Sequence, residues 1–401
     1  MSKLKVLIIG AGLGGLCLAQ SLNSADVEVH VFERDSSPWD RPQGYRLHID
    51  ADGINALKAA LPPDLFSLFE ATSMAALPYT TVVDTGLNVL RRMLVDEEIS
   101  PNGTPAHVNV NRASLRQILL TGLDEICHFN MRLERYERDA TGVIAYFADG
   151  SKVRGDILVG ADGIRSAVRK HRLPEARIAD TGVRAIYGRI PIETARRLLP
   201  EHALSDVFTI ASDTRKVFFG LGPVIFPTRP EVASLQHAPA AALPGQDDYV
   251  VSIVGGRKEY FGANDETLRR ASSAELQLEA ARMLQSWPDE ASSIPAEGDP
   301  TSFFFVEMNT SVPCDMGKPD NVVLLGDAIH AMTPTLGRGA NVAMRDGAML
   351  GRLLKLCADG ELELGDALSS YESEMAQYGF GVVRESAALG QRLMGQEPLP
   401  A

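Results

Sequence analysis

Apolar positions along the chain follow two rhythms. Lys5–Ile9 is a short apolar run stopped by Gly10, and from Leu13 to Leu22 apolar side chains return at helical spacing. The segment therefore reads strand, tight turn, helix, with a second strand over Val27–Phe32. Far downstream the arrangement returns: Val322–Leu325 is a buried-strand run ended by Gly326-Asp327, followed by Pro334, Gly337, Gly339 and Asn341 and a helical pattern through Leu354. Helical stripes also run through Ile54, Leu57 and Leu61; Leu115, Ile118 and Leu119; Leu276, Ala280, Met283 and Trp287; and Leu368, Tyr371, Met375, Tyr378 and Val382. Between Gly182 and Met308 the rhythm changes to strands, among them "VRAIYGRIPI", "KVFFGLGPVIFP", "YVVSIVGG" and "SFFFVEM", while "SLQHAPAAALPGQDD" reads as a flexible loop.

Gly10, Gly12 and Gly15 give G-x-G-x-x-G at the first turn. The first glycine permits the turn, the second lets backbone approach a pyrophosphate, and the third lets helix and strand pack closely. The phosphates then meet the positive end of a helix. Glu33 ends the second strand, placed to accept hydrogen bonds from both hydroxyls of an adenosine ribose and to disfavour a 2′-phosphate there. Dinucleotide binding is the reading; a bare glycine-rich corner is the competing one.

Composition narrows the partners. With 401 residues, 45% of them hydrophobic, the chain can bury a large core in two closely packed domains. A formal charge of −13 repels polyanions, which argues against nucleic acid. Cys17, Cys127, Cys314 and Cys357 form no C-x-x-C pair, so no zinc site, redox dithiol or disulfide framework is indicated. No signal-peptide pattern or membrane-length apolar run is evident, and the cytoplasm is the expected compartment.

At the second turn, Asp327 projects a carboxylate from the strand's carboxyl edge, the ligand side of an α/β sheet. Pro334 pre-sets a turn and offers a flat apolar ring, while Gly337 and Gly339 let backbone lie against a planar ligand. Ala340 and Asn341 begin a helix whose free amides suit an electron-rich atom.

Three ordered motifs, "GAGLGG" with Glu33-Arg34, "GDILVGADGIRSAVRK" and "GDAIHAMTPTLGRGANVAMRDG", resemble those of the FAD-dependent group A flavoprotein monooxygenases, the family of para-hydroxybenzoate hydroxylase and the tetracycline-inactivating monooxygenases. The resemblance spans essentially the whole chain. It implies an α/β fold: a Rossmann-like FAD-binding domain (1–75, 101–180 and 309–358), an interleaved substrate-binding β-sheet domain (76–100 and 181–308) and a long C-terminal helix (359–401). It further implies that FAD's adenosine end binds at Gly10, Gly12, Leu13, Gly14, Gly15, Glu33 and Arg34, with Asp327 on the ribityl-pyrophosphate portion. Pro334 would lie beside the isoalloxazine, with amides of Gly337, Gly339, Ala340 and Asn341 at its pyrimidine edge. Arg112, in "NVNRASLRQIL", would reach ribose and phosphates, and Asp162 would hold FAD and dock the nicotinamide.

The implied chemistry is oxygen insertion from O2 through the flavin's C4a position, with NADPH or NADH as transient reductant and a small, largely apolar or aromatic substrate. Hydroxylation is favoured; epoxidation and Baeyer-Villiger insertion use the same site. A flavin halogenase lacks its W-x-W-x-I-P signature here, since Trp39 and Trp287 are the only tryptophans. A geranylgeranyl-reductase-like enzyme and a non-enzymatic FAD protein complete the alternatives. No metal is expected, and a monomer or homodimer is.

Several residues stay open at this point. Asp162-Gly163 alone is an ordinary turn, though Arg165, Ser166 and Arg169 favour the motif. Arg46 could meet a substrate anion, the nicotinamide phosphate or a surface carboxylate. Arg338 could stabilise reduced flavin or simply be solvated. His330 is read as a structural, hydrogen-bonded histidine rather than a base. Phe208, Phe218, Phe226, Tyr260, Phe303 and Phe305 are candidates for the substrate pocket, about half of them expected to be sheet core instead.

Overall fold

A computed structural model describes residues 3–38, 40, 45–95, 107–139 and 141–400. Boundaries expected at residues 1, 100/101 and 401, and Trp39, lie outside these.

The first strand, Leu4–Ile9, is central in a five-stranded parallel sheet whose order is Val322–Leu324, Ile157–Gly160, Leu4–Ile9, Val27–Phe32, Cys127–His128. Near-continuous apolar runs form these strands because both faces are covered. Ile9, Gly160 and Leu324 stand level in three adjacent parallel strands, so the two glycine turns leave one edge of one sheet. Their helices, Leu13–Asn23 and Gly339–Ala358, cross at glycines: a Cβ on Gly14 would lie 2.6 Å from the Ala343 carbonyl oxygen, and one on Gly347 2.5 Å from that of Gly14.

The second layer is a seven-stranded mixed sheet, ordered Phe304–Ser311, Ile178–Pro191, Tyr249–Arg257, Phe218–Val224, Asp206–Ser212, Leu77–Val83, Val89–Leu94. Its outer face packs on Leu276, Ala280, Met283 and Trp287; the helix Ser273–Met283 carries the first three of this predicted stripe, and Trp287 lies in the bend beyond its end. Its inner face gathers Tyr187, Phe218, Phe226, Tyr249 and Met308 with Met394 of the long helix Leu364–Met394. A ribbon of Arg46–Asp50 and His107–Asn111 joins the two sheets: Asn109 donates to the Pro223 carbonyl (2.9 Å) and Asn111 to the Tyr249 hydroxyl (3.0 Å).

One expected loop is built differently. "SLQHAPAAALPGQDD" begins in the helix Pro230–His237 and continues through a 3-10 turn, Pro239–Ala241. Ala238, Ala241 and Leu243 are buried in the main core, so its alanines supply packing that a polar loop lacks.

Candidate active site

Gly10 adopts φ +109°, and a Cβ there would meet the Ala161 carbonyl oxygen at 2.3 Å. A Cβ on Gly15 would be equally close to the Gly10 carbonyl. Backbone packing therefore dictates both. Gly12 differs: nothing lies within 4 Å of its hypothetical Cβ, though it caps a helix in the middle of the fold. That space at a helix N-terminus leaves room for a pyrophosphate. Leu13 buries its side chain in the core and Gly14 packs against the second helix, so any part either plays toward a phosphate falls to the backbone amides of the helix's first turn.

Glu33 ends its strand buried, its carboxylate accepting from the Ala11 amide (2.8 Å) and the Asp35 amide (3.0 Å). Arg34 beside it is exposed. Arg116, not singled out from sequence, is buried behind this turn and donates to the carbonyls of Ala11 (3.0 Å) and Pro38 (2.7 Å). It lies one helical turn after Arg112, on the same face of the helix Arg112–Leu120, and that i,i+4 spacing was the available signal.

Asp162 follows the strand Ile157–Gly160, and one oxygen accepts from the Ala167 amide at 2.7 Å. The other oxygen is buried with no hydrogen-bond partner. Burial raises its pKa despite the donors around it, so the site favours a ligand hydroxyl or cation at that oxygen. Arg165 is exposed, whereas Arg169 donates to the Ala328 carbonyl (2.7 Å) and ties this loop to the second turn.

Asp327 reaches solvent yet is ringed by protein. That surrounding mass raises its pKa, while the charges of His330 and Arg112 pull the other way, which brings Arg112 and Asp327 into one electrostatic neighbourhood. Fully buried His330 bonds Asp346 at 2.6 Å, and the same Asp346 oxygen accepts from the Gly326 amide (3.1 Å). Burial opposes the His330 charge, but Asp346 outweighs it, and the histidine's pKa is raised. Its role is to brace the turn that projects Asp327.

Pro334 is exposed on a 3-10 turn, Pro334–Leu336, and Gly337 follows at φ +67° with His48 close by. Gly339 and Ala340 open the helix. Asn341 is wholly buried: its amide donates to the carbonyls of His48 (3.0 Å) and Gly337 (3.1 Å), and its oxygen accepts from the Asp50 amide (3.2 Å). Any ligand contact it makes falls to its backbone.

Arg338 is half-buried and engaged with protein partners. Its guanidinium bonds Asp52 at 3.0 Å and the Tyr378 hydroxyl and lies 3.4 Å from Asp50, so it ties the turn to two helices. Arg46 is not a surface ion pair. It donates to Asn109 and to the Val207 carbonyl, both at 2.6 Å, and lies 5.2 Å from the Phe208 ring. Burial pushes its pKa down to about 10, and its Nε is left without a partner.

The predicted aromatic set divides by sheet face. Phe303 and Phe305 point to the outer face, Phe303 over Gly188 and Phe305 edge-on to Phe261, and Tyr260 is exposed beside Arg215. These three do not line an inner pocket. Phe218 and Phe226 are inner-face core, and Phe208 is half-buried under Arg46. The inner cluster is instead Phe304 stacked on Tyr187 (5.4 Å), with Tyr45 at 5.6 and 5.9 Å from them. Alternation along the strand put Phe304 inside, and "FFF" alone leaves that parity open.

The family described as FAD binding domain matches residues 3–386. The chain belongs to the FAD-dependent flavoprotein monooxygenases. Its cofactor is FAD, and the residues fit that group: Gly12 leaves room for a pyrophosphate, and Asp162 keeps an unpartnered carboxylate oxygen that a cofactor hydroxyl could satisfy. A dual O-methyltransferase/FAD-dependent monooxygenase of Phaeosphaeria nodorum is 32% identical over 98% of this chain and 46% of its own length. The chain thus spans about half the length of the fungal dual proteins it matches. The 6-hydroxynicotinate 3-monooxygenase of Pseudomonas fluorescens is 27% identical, covering 95% of this chain and 90% of the relative. Among solved structures, a Photorhabdus luminescens protein designated an FAD-containing monooxygenase superposes with TM-score 0.81 at 29% identity, covering 97% of this flavoprotein and 98% of that chain. No helix among the described residues is long and apolar enough to cross a membrane.

Proposed function

We propose that this flavoprotein uses NADPH or NADH to insert one oxygen atom of O2 into a small aromatic or heteroaromatic molecule, by hydroxylation. The reading rests on one observation. The strand Arg46–Asp50 carries His48 against Gly337 and, two residues away, Arg46 against the substrate sheet, so the second glycine turn and the inner aromatic face are one strand pitch apart. A planar substrate between Tyr45, Tyr187 and Phe304 and the turn at Pro334 would stack on rings, with Arg46 Nε as the nearby donor. The named reaction of the hydroxynicotinate relative supports a heteroaromatic substrate.

Bound FAD supplies hydride acceptance and oxygen activation. The chain's residues orient and shield. Glu33 would accept hydrogen bonds from the adenosine hydroxyls, Asp162 and Asp327 would hold the middle of the cofactor, and the inner face of the sheet would exclude water. No acid–base triad is required of the protein.

Anaerobic addition of NADPH, then NADH, to the FAD-loaded protein tests this. Flavin absorbance should bleach and return on admitting oxygen, with faster bleaching when a heteroaromatic acceptor is present. Oxidised flavin persisting with both nucleotides across an acceptor panel would refute the nicotinamide-linked reading.

A further inference from the structure

The turn at Pro334 is held from behind by a segment that lies partly beyond the family match, which ends at residue 386. Thr333 and Thr335 flank the proline. Ser386, fully buried in the C-terminal helix, donates to the Thr333 carbonyl at 2.7 Å, and its own carbonyl accepts from the Thr335 hydroxyl at 2.8 Å. The Ser386 hydroxyl lies 3.1 Å from that of Thr333 and 2.9 Å from that of Thr335. Thr333 also donates to the side-chain oxygen of Gln396 at 3.0 Å. Gln396 is itself buried and fits only because residue 390 is glycine: a Cβ there would lie 2.2 Å from the Gln396 oxygen.

The residues next to Gln396 grip the other sheet. The Glu397 amide donates to the Thr181 carbonyl (2.9 Å), its carboxylate pairs with Arg257, and Arg257 also donates to the Gly395 carbonyl (3.1 Å). Thr181 and Arg257 belong to neighbouring strands of the seven-stranded sheet. Gly395–Glu397 therefore reaches the substrate sheet with one residue and the proline turn with the next.

We propose that Ser386 and Gln396 are positioning residues for the flavin, a strap that sets the turn at Pro334 relative to the substrate sheet. The Ser386 hydroxyl and the Gln396 amide both bond the threonines that flank Pro334, so they act by fixing where Pro334 and Gly337 present their ring and backbone. The inference rests on the reading that this turn faces the isoalloxazine.

Thr333→Val keeps the side chain's shape and removes the hydroxyl; Thr333→Ser keeps the hydroxyl. FAD affinity, the position of the visible flavin bands and thermal stability are measured for both, for Gln396→Ala and for Asp327→Ala. The strap predicts shifted flavin bands and FAD binding about five- to tenfold weaker in Thr333→Val and Gln396→Ala, the factor of one buried hydrogen bond, with recovery in Thr333→Ser. If Thr333→Val and Gln396→Ala lose stability but leave bands and affinity unchanged while Asp327→Ala releases FAD, the strap is only packing and the proposal fails. If Asp327→Ala also retains FAD fully, the site assignment itself is what failed.

Discussion

The two sheets use glycine and aromatic residues under different constraints. In the five-stranded parallel sheet the first turn is dictated by backbone: a Cβ on Gly10 or Gly15 would lie 2.3 Å from a carbonyl oxygen, and one on Gly12 would meet nothing within 4 Å. In the seven-stranded sheet the site is made of side chains on one of two faces, where Phe304 and Phe303 differ only in parity. Backbone constraints write a fixed motif into the sequence, because no other residue fits. A face of a sheet writes only an alternation, and several aromatics in a row erase it.

Three substitutions probe that contrast. Gly10→Ala is expected to have the largest effect, since it combines a strained positive φ with a collision against main chain that cannot yield. Little folded, FAD-bearing protein should be recovered, as read by flavin content and thermal melting; a yellow, stable variant would break the backbone half of the comparison. Phe303→Ala should cost about 3–5 kcal/mol of stability by emptying the outer core while leaving substrate saturation unchanged. Phe304→Ala should do the reverse, raising KM for the substrate with a smaller loss of stability. Denaturant melts and steady-state kinetics on the pair decide the parity.

The smallest effect is a pH dependence at the braced turn. His330 has a raised pKa in the folded protein, so its pairing with Asp346 stabilises fully below the unfolded value of about 6.5 and is lost as pH rises through the folded value. Asp346→Asn should therefore destabilise the protein most in mild acid and progressively less toward alkaline pH. A penalty independent of pH would mean that the pair acts by shape alone.

Much of the fold was legible before any coordinates, for reasons visible in particular residues. The strand-turn-helix units at Gly10–Gly15 and Gly326–Asn341 carried hydrophobic rhythm and glycine together, and the C-terminal stripe from Leu368 to Val382 fell within one helix. The commitments of polar side chains were not legible. Arg338 turned to Asp50 and Asp52, Arg46 to carbonyl and amide oxygens, and Asn341 to His48, because each partner comes from a distant segment. For Arg116 the spacing from Arg112 was the one mark in the sequence, because its partners are main-chain carbonyls of a distant segment.

The parallel sheet has a consequence for how the chain must be made. Four of its strands are encoded before residue 161, and the fifth, Val322–Leu324, only after the whole substrate sheet. On a ribosome adding about 5–20 residues each second, the strand Ile157–Gly160 waits roughly ten to thirty seconds for its neighbour. During that interval a row of buried-type main-chain groups has no partner, and the FAD site lacks its second turn. The N-terminal half is thus expected to need protection during synthesis, and cutting between the sheets should yield fragments that aggregate instead of a separable nucleotide-binding domain.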